Sequence, residues 1–407
     1  MRIYVKHIPN TFNYGSLMMA VNAIYYLNRD IENAEFFVDC KTDEDLNRLK
    51  RETGLNNISI APKYEENIAN NILAKIIKRL KIIKEESKFY DLKIILGGDD
   101  ISEYYGKDYW LIGFPIMFIE NICLPTIMLG QTIGPFTSYR KLLAKFALNK
   151  AIIYTRDDKC FEYLCKLGVK TAKRGRDLAF LELPMQEKAN SILNTYDLVP
   201  GTYVVMVPSG LVKCYTNRYE DYLNEQYRIL KSLMYNPRLK DKTIVLMAHV
   251  RATGNADKII IEELERRLTS DEKSRIISIK DDILASEARA ILGNGIFTIT
   301  GRMHAAISSF YMRKPAISLS YSVKYEGVIA KGLDMRELVI DAQDPKLWEN
   351  GIISQLVTEK VEYVLDNYDE LVKKIDKNVA MTTHMVIQEL KEVLKDINNI
   401  KKRRSKQ

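Results

Sequence analysis

The chain has 407 residues, 46% hydrophobic and 28% charged, with a formal net charge of +8; that length is too great for one compact core, and two or three globular domains are expected. No uninterrupted apolar run approaches the roughly 20 residues that span a bilayer, and the opening reads as a strand and not a signal peptide, so a cytoplasmic protein is expected. Five scattered cysteines form no C-x-x-C pair, which argues against a disulfide framework and a zinc site, and the modest positive balance suits an anionic substrate or membrane surface at least as well as nucleic acid, for which no reading motif is present.

Strand-like runs recur at 3–5, 35–38, 58–61, 93–96, 126–129 and 151–154, most separated by segments of helical period such as 17–27, 46–52, 72–84 and 139–148. This alternation is the mark of a doubly wound parallel sheet. A polar, proline-containing stretch at 183–202 reads as a linker. A second series follows, with strands at 203–207, 243–247, 275–279, 296–299, 316–319 and 338–340 and helices such as 219–234 and 258–268. Residues 346–400 read as further helices and 401–407 as a basic, disordered tail. The expected fold is therefore α/β, with two Rossmann-like domains, 1–182 and 203–345, facing a cleft.

In open sheets of this kind ligands bind beyond the carboxyl ends of the strands, so the polar residues at those ends are the candidates. After the first strand come Asn10, Asn13, Tyr14, Gly15 and Ser16. After Leu96 comes Gly97-Gly98-Asp99-Asp100, where paired glycines let the backbone approach a ligand and two carboxylates can accept from sugar hydroxyls; a turn with an N-cap aspartate would use the same residues. After Leu129 comes the Gly-bracketed loop Gly130-Gln131-Thr132-Ile133-Gly134-Pro135-Phe136, whose glycines turn chemistry explains but whose Gln131 it does not. Next, Thr155-Arg156-Asp157 offers a strand-end arginine, either a bidentate clamp for carboxylate or phosphate or one half of a salt bridge to Asp157 or Asp158.

The second series ends its strands on Pro208-Ser209-Gly210, on His249 with Arg251, and on Gly301-Arg302-Met303-His304-Ala305. The last is the most informative stretch of the chain, because a strand-to-helix junction presents backbone N–H groups to an anion. One of only four histidines stands there beside an arginine, which suits acid–base work; a histidine packed beneath its helix is the plainer reading. One βα unit further on, Ser320-Tyr321-Ser322-Val323-Lys324 closes another strand, and neighbouring parallel strands about 4.8 Å apart would let both loops share a pocket. Arg156 from the first domain facing Arg302, His304 and Lys324 from the second would make a cationic cleft for a small, multiply charged anion. Neither a Walker lysine motif, a G-x-G-x-x-G fingerprint nor a metal-spaced histidine pair occurs.

Asn13-Tyr14-Gly15, Gly97-Gly98-Asp99, the 130–136 loop, Thr155-Arg156-Asp157, Asp177-Leu178-Ala179-Phe180, Arg302-Met303-His304 and Tyr321-Ser322-Val323-Lys324 together resemble the polysaccharide pyruvyl transferase family, in that family's order. The resemblance implies a GT-B-like fold and transfer of the enolpyruvyl unit of phosphoenolpyruvate to a sugar diol as a ketal, with release of phosphate and with no cofactor or metal. It further implies that Arg156, Arg302, His304 and Lys324 hold the donor and that His304 and Arg156 serve the chemistry. Asn13, Gly15, Asp99, Asp100 and Gln131 would face the acceptor from the first domain. The family's first loop commonly reads Asn-x-Gly-Asp, whereas Ser16 stands here in place of the acid. The acceptor sugar and the oligomeric state do not follow from these motifs.

Lys75, Lys78, Arg79, Lys81 and Lys84 flank an apolar face formed by Ile72, Leu73, Ile76, Ile77, Leu80 and Ile83. This pattern fits a helix lying on the cytoplasmic leaflet, where a lipid-linked acceptor would be found. It fits still more simply a Rossmann helix packed on its sheet with a solvated basic rim, and the Lys/Arg tail would add attraction to anionic lipid. Two other readings compete: a GT-B glycosyltransferase whose Arg302, His304 and Lys324 hold a nucleotide-sugar diphosphate, and a non-catalytic glycan-binding relative.

Overall fold

The computed structural model describes residues 1–8, 10–62, 71–103, 109–251 and 256–404. The first sheet contains β1 (Arg2–Lys6), β2 (Glu35–Val38), β3 (Ile58–Ile60), β4 (Leu92–Leu96), β5 (Thr126–Gln131), β6 (Ile152–Thr155) and β7 (Ala172–Lys173), in the order β3-β2-β1-β4-β5-β6-β7. Every pairing is parallel. Strands covered on both faces need continuous apolar runs, and β4 is buried along its whole length, including Lys93, whose ammonium meets Glu120 at 3.0 Å.

The second sheet contains β8 (Tyr203–Val207), β9 (Thr243–Met247), β10 (Ile276–Ile279), β11 (Thr298–Thr300), β12 (Ala316–Ser320) and β13 (Val339–Asp341), in the order β10-β9-β8-β11-β12-β13, again all parallel. Strand order therefore reverses between β1 and β4 in one sheet and between β8 and β11 in the other. Such switch points open the crevice at which α/β sheets bind ligands.

The chain forms two compact units. One comprises Met1–Thr11, Met19–Leu181 and His384–Gln407; the other comprises Phe12–Met18 and Glu182–Thr383. This departs from the contiguous domains expected from sequence. Residues 12–18 join the second unit because the Phe12 carbonyl accepts from Arg251 N at 2.9 Å, Asn13 forms an antiparallel bridge with Val250, and Tyr14 N donates to the His249 carbonyl at 3.3 Å.

The last helix, Tyr368–Arg404, also departs from expectation, since it runs through the first four residues of the expected basic tail. Its later part belongs to the first unit. Glu389 accepts from Arg176 N at 2.9 Å, Asp396 takes the Tyr154 hydroxyl and the Lys173 ammonium at 2.7 Å each, and the Arg404 guanidinium donates to the carbonyls of Tyr90 and Asp91. Ser405, Lys406 and Gln407 of the expected tail lie outside the described residues.

Candidate functional site

In the second unit the switch point is built around one buried carboxylate. Asp257 begins the helix Asp257–Arg267 and is fully buried. Its Oδ2 accepts from the backbone N–H groups of His249 and Val250 at 3.0 and 2.8 Å, and its Oδ1 accepts from Gly210 N at 2.8 Å. Oδ1 also receives Nε and Nη2 of Arg302 at 3.0 and 2.7 Å. The ends of β8, β9 and β11 are thus tied to one charge. Arg302, only 7% exposed, is held by a partner whose attraction outweighs the burial that opposes its charge.

Gly301 precedes this arginine in a confined place. A Cβ there would come within 2.6 Å of the Tyr215 hydroxyl and 2.8 Å of Ser209 Cβ. Its carbonyl accepts from the Tyr325 hydroxyl at 2.8 Å, and the Tyr215 hydroxyl lies 3.2 Å away. Tyr215 also reaches the Leu319 carbonyl at 3.1 Å, so one phenol braces the turn after β11 and the end of β12. Lys324, in the loop after β12, is half-buried and lays its ammonium over the Tyr321 ring at 4.6 Å.

His304 occupies the first turn of the helix Met303–Tyr311 and is half-buried, while its neighbours in that turn are buried. The glycine of the opening loop packs on its ring: a Cβ on Gly15 would overlap the imidazole, 2.6 Å from Cγ. Asn13, in the same loop, caps the helix Tyr14–Asp30, its Oδ1 accepting from Gly15 N at 3.2 Å and lying 3.5 Å from Ser16 N. Asn13 and Gly15 were expected opposite His304, on the first domain. They belong instead to the second unit, with a capping and a packing role that their sequence positions alone did not reveal.

His249 is the second histidine here, 1% exposed, with the Tyr14 ring edge-on at 5.4 Å. Burial, and then the neighbouring His304, Arg302 and Arg289, hold its pKa well below the usual histidine value, so the ring stays neutral. Its Nε2 has no hydrogen-bond partner among the described residues. Arg289, which sequence reading passed over, is fully buried in the helix Ala285–Asn294, its guanidinium over the Tyr311 ring at 4.6 Å. An arginine among alanines and leucines was the signal that could have flagged it.

In the first unit the strand ends gather a different set. Arg156 is 3% exposed; its Nε donates to the Gly130 carbonyl at 2.9 Å and lies 3.5 Å from Asp177 Oδ2. The ion partner is thus Asp177, not Asp157 or Asp158 as the local reading offered. Asp157 caps the helix Asp158–Leu167 through Cys160 N, and Asp158 takes Arg176 at 2.6 Å. Gly97 must lack a side chain, for a Cβ would overlap the Gly130 carbonyl and stand 2.8 Å from Arg156 Nη2.

Gln131, expected in a loop, is the last residue of β5, because the strand continues past a register shift at Gly130, whose φ of +66° suits glycine. Its side chain is buried and donates to the Leu96 carbonyl. Asp99 is half-buried and Asp100 exposed, and Asp100 faces a histidine the sequence reading did not single out. His7 follows β1 directly, with φ of +77°; its Nδ1 lies 3.0 Å from the Leu96 carbonyl and its Nε2 3.6 Å from Asp100 Oδ2. Its position at the end of the first strand was the available signal.

Comparison with known proteins matches residues 13–323 to the polysaccharide pyruvyl transferase family. The chain is similar to the amylovoran biosynthesis protein AmsJ of Erwinia amylovora, 23% identical over 389 residues that cover 92% of this chain and 88% of that protein. Among solved structures it resembles the UDP-GlcNAc 2-epimerase from Neisseria meningitidis, with a TM-score of 0.58 and 8% identity over 97% of this chain and 100% of that one. It also resembles the ADP-heptose LPS heptosyltransferase II of E. coli, with a TM-score of 0.50 and 13% identity over 91% of this chain and 100% of that one. At such identities the likeness is one of fold, two Rossmann-like units of the GT-B kind.

Proposed function

The chain belongs to the polysaccharide pyruvyl transferase family, and from that premise we propose that it transfers the enolpyruvyl group of phosphoenolpyruvate to two hydroxyls of a sugar in a cell-surface glycan or its precursor. In this reaction both hydroxyl oxygens bond to C2 of the donor and the C–O bond to phosphate breaks. One hydroxyl proton ends on the methylene carbon and the other on phosphate. The similarity to a biosynthesis protein of the polysaccharide amylovoran supports the glycan side of this reading.

The observation that carries it is the gathering of Arg302, Arg289 and His304 around a neutral His249 at the β8/β11 switch point. Fixed positive charge at a helix N-terminus favours a donor that carries both carboxylate and phosphate, and stabilises the phosphate charge that grows as its bond breaks. In this reading His304 is the half-exposed group that moves the proton, to the methylene carbon or from a sugar hydroxyl. Arg302, oriented by Asp257, and Lys324 bind donor charge. Arg156 enters as a donor residue through the family resemblance; its own geometry is that of a side chain bracing Gly130. Asp99 and Asp100, beside His7, are the first unit's candidates for sugar hydroxyls.

A thermal-shift titration tests the donor. Phosphoenolpyruvate should raise the melting temperature saturably, pyruvate and phosphate less, and the rise should vanish in Lys324→Ala and weaken in Arg156→Ala. Stabilisation by nucleotide sugars and not by phosphoenolpyruvate would overturn the proposal in favour of a glycosyltransferase.

A further inference from the structure

Three helices of the first unit, Ile72–Phe89, Tyr109–Cys123 and Arg140–Leu148, connect β3 to β4, β4 to β5 and β5 to β6. Each crossover moves the same way along the sheet, and right-handed crossovers of one direction put their helices on one face. The middle helix packs against both of the others. A helix that covers a sheet in water turns a polar side outwards. These three do not.

On the first, Leu73, Ile77 and Leu80 are exposed at helical spacing. Leu111, Ile119 and Ile122 are exposed on the second, and Leu142 and Phe146 on the third. Eleven of the twenty-one large hydrophobic side chains exposed among the described residues lie between residues 72 and 146, a concentration foreign to an ordinary monomer surface. The simpler sequence reading, in which the first helix buries its apolar face, is thereby corrected: its buried residues are Ile83 and Glu86 alone.

The charge around this surface is mainly positive, the one exposed acid of the three helices being Glu85, which is paired with Lys88. The middle helix carries a single acid, Glu120, already engaged by Arg79 and by Lys93. Lys75, Lys81 and Lys84 on the first helix and Lys141 and Lys145 on the third are exposed. An apolar face rimmed by lysines complements the acyl-to-headgroup boundary of an anionic bilayer, whereas a second copy would set lysine against lysine. We propose that this face docks the protein on the surface of an anionic lipid bilayer, lying in the interface. None of the described helices is long and apolar enough to cross a membrane. The inference is independent of the reaction proposed above.

Flotation with vesicles of phosphatidylcholine, with and without phosphatidylglycerol, tests it on the full chain. The protein should float with the anionic vesicles, less so as salt is raised. Ile119→Ser/Ile122→Ser and Lys141→Glu/Lys145→Glu should each weaken binding about tenfold or more, with circular dichroism and melting temperature unchanged. Failure to bind anionic vesicles, or binding that neither variant weakens, would overturn the proposal. So would a dimer in sedimentation velocity that Ile119→Ser/Ile122→Ser dissociates, because the face would then belong to a second copy.

Discussion

Gly15 lies so close to His304 that a single methyl group added to it would overlap the imidazole. Alanine is otherwise the better residue in the helix Tyr14–Asp30, by about 0.5–1 kcal/mol. The overlap takes in His304 Cβ as well, at 2.9 Å, so Gly15→Ala should lower stability by about 1–3 kcal/mol while displacing the ring, and a displacement of about 1 Å at a reacting group costs on the order of a hundredfold in rate. The check is to measure the melting temperature and kcat on the same preparation. Unchanged turnover would mean that the ring position is immaterial.

His304→Ala should lower kcat by about a hundredfold or more with a smaller change in KM for phosphoenolpyruvate, as expected for a group acting on the proton and not chiefly on binding. Near-normal turnover in that variant would remove His304 from the mechanism.

Asp257 joins three strand ends and neutralises a buried arginine. Asp257→Asn preserves the shape and removes the charge, leaving Arg302 buried without its counter-ion. The expected loss is about 3–5 kcal/mol, read as a lower urea midpoint, together with a higher KM for phosphoenolpyruvate as the guanidinium loses its orientation. A variant as stable as the parent would show that water or another group compensates Arg302.

Two buried groups set opposing dependences of stability on pH. Burial raises the Glu389 carboxyl to about 8 from 4.5, so the folded chain holds its proton more tightly than the unfolded one. That contribution is complete below pH 4.5 and is lost as pH rises towards 8. Burial depresses His249 well below 6.5, so the unfolded chain takes the proton. That contribution is complete above pH 6.5 and is lost as pH falls. The slopes oppose each other between 4.5 and 6.5, and Glu389 acts alone from 6.5 to 8, by at most about 1.4 kcal/mol per pH unit. The melting temperature should fall across that upper window, and Glu389→Gln should abolish the fall; identical profiles for the two proteins would reject the assignment.

Alternation of apolar runs with helical periods made both parallel sheets legible, and β2, β8 and β9 occupy the expected residues. The two-residue β7 was too short to stand out. The helix Tyr109–Cys123 escaped notice because a segment apolar on every side has no 3.6-residue period to read. Within the candidate site, Arg302 and His304 were visible as a strand-to-helix junction. The roles of Asp257 and Gly15 were not, since each depends on segments that meet only after the chain has folded. Gln131 was misplaced because a bulge at Gly130 prolongs β5 past the point where its apolar run stops.

The chain passes between its two units at 11/12, 18/19, 181/182 and 383/384. During synthesis this imposes an order. The segment that completes the second unit, 12–18, is made before the rest of that unit and must stay available until Val250 emerges to pair with it. The first unit has its seven strands by residue 173, yet lacks the carboxylates that take the Arg176 amide, the Tyr154 hydroxyl and the Lys173 ammonium until Glu389 and Asp396 have left the ribosome. A chain halted after Thr383, partway along the last helix, would thus leave the earlier unit, and not the later one, unfinished.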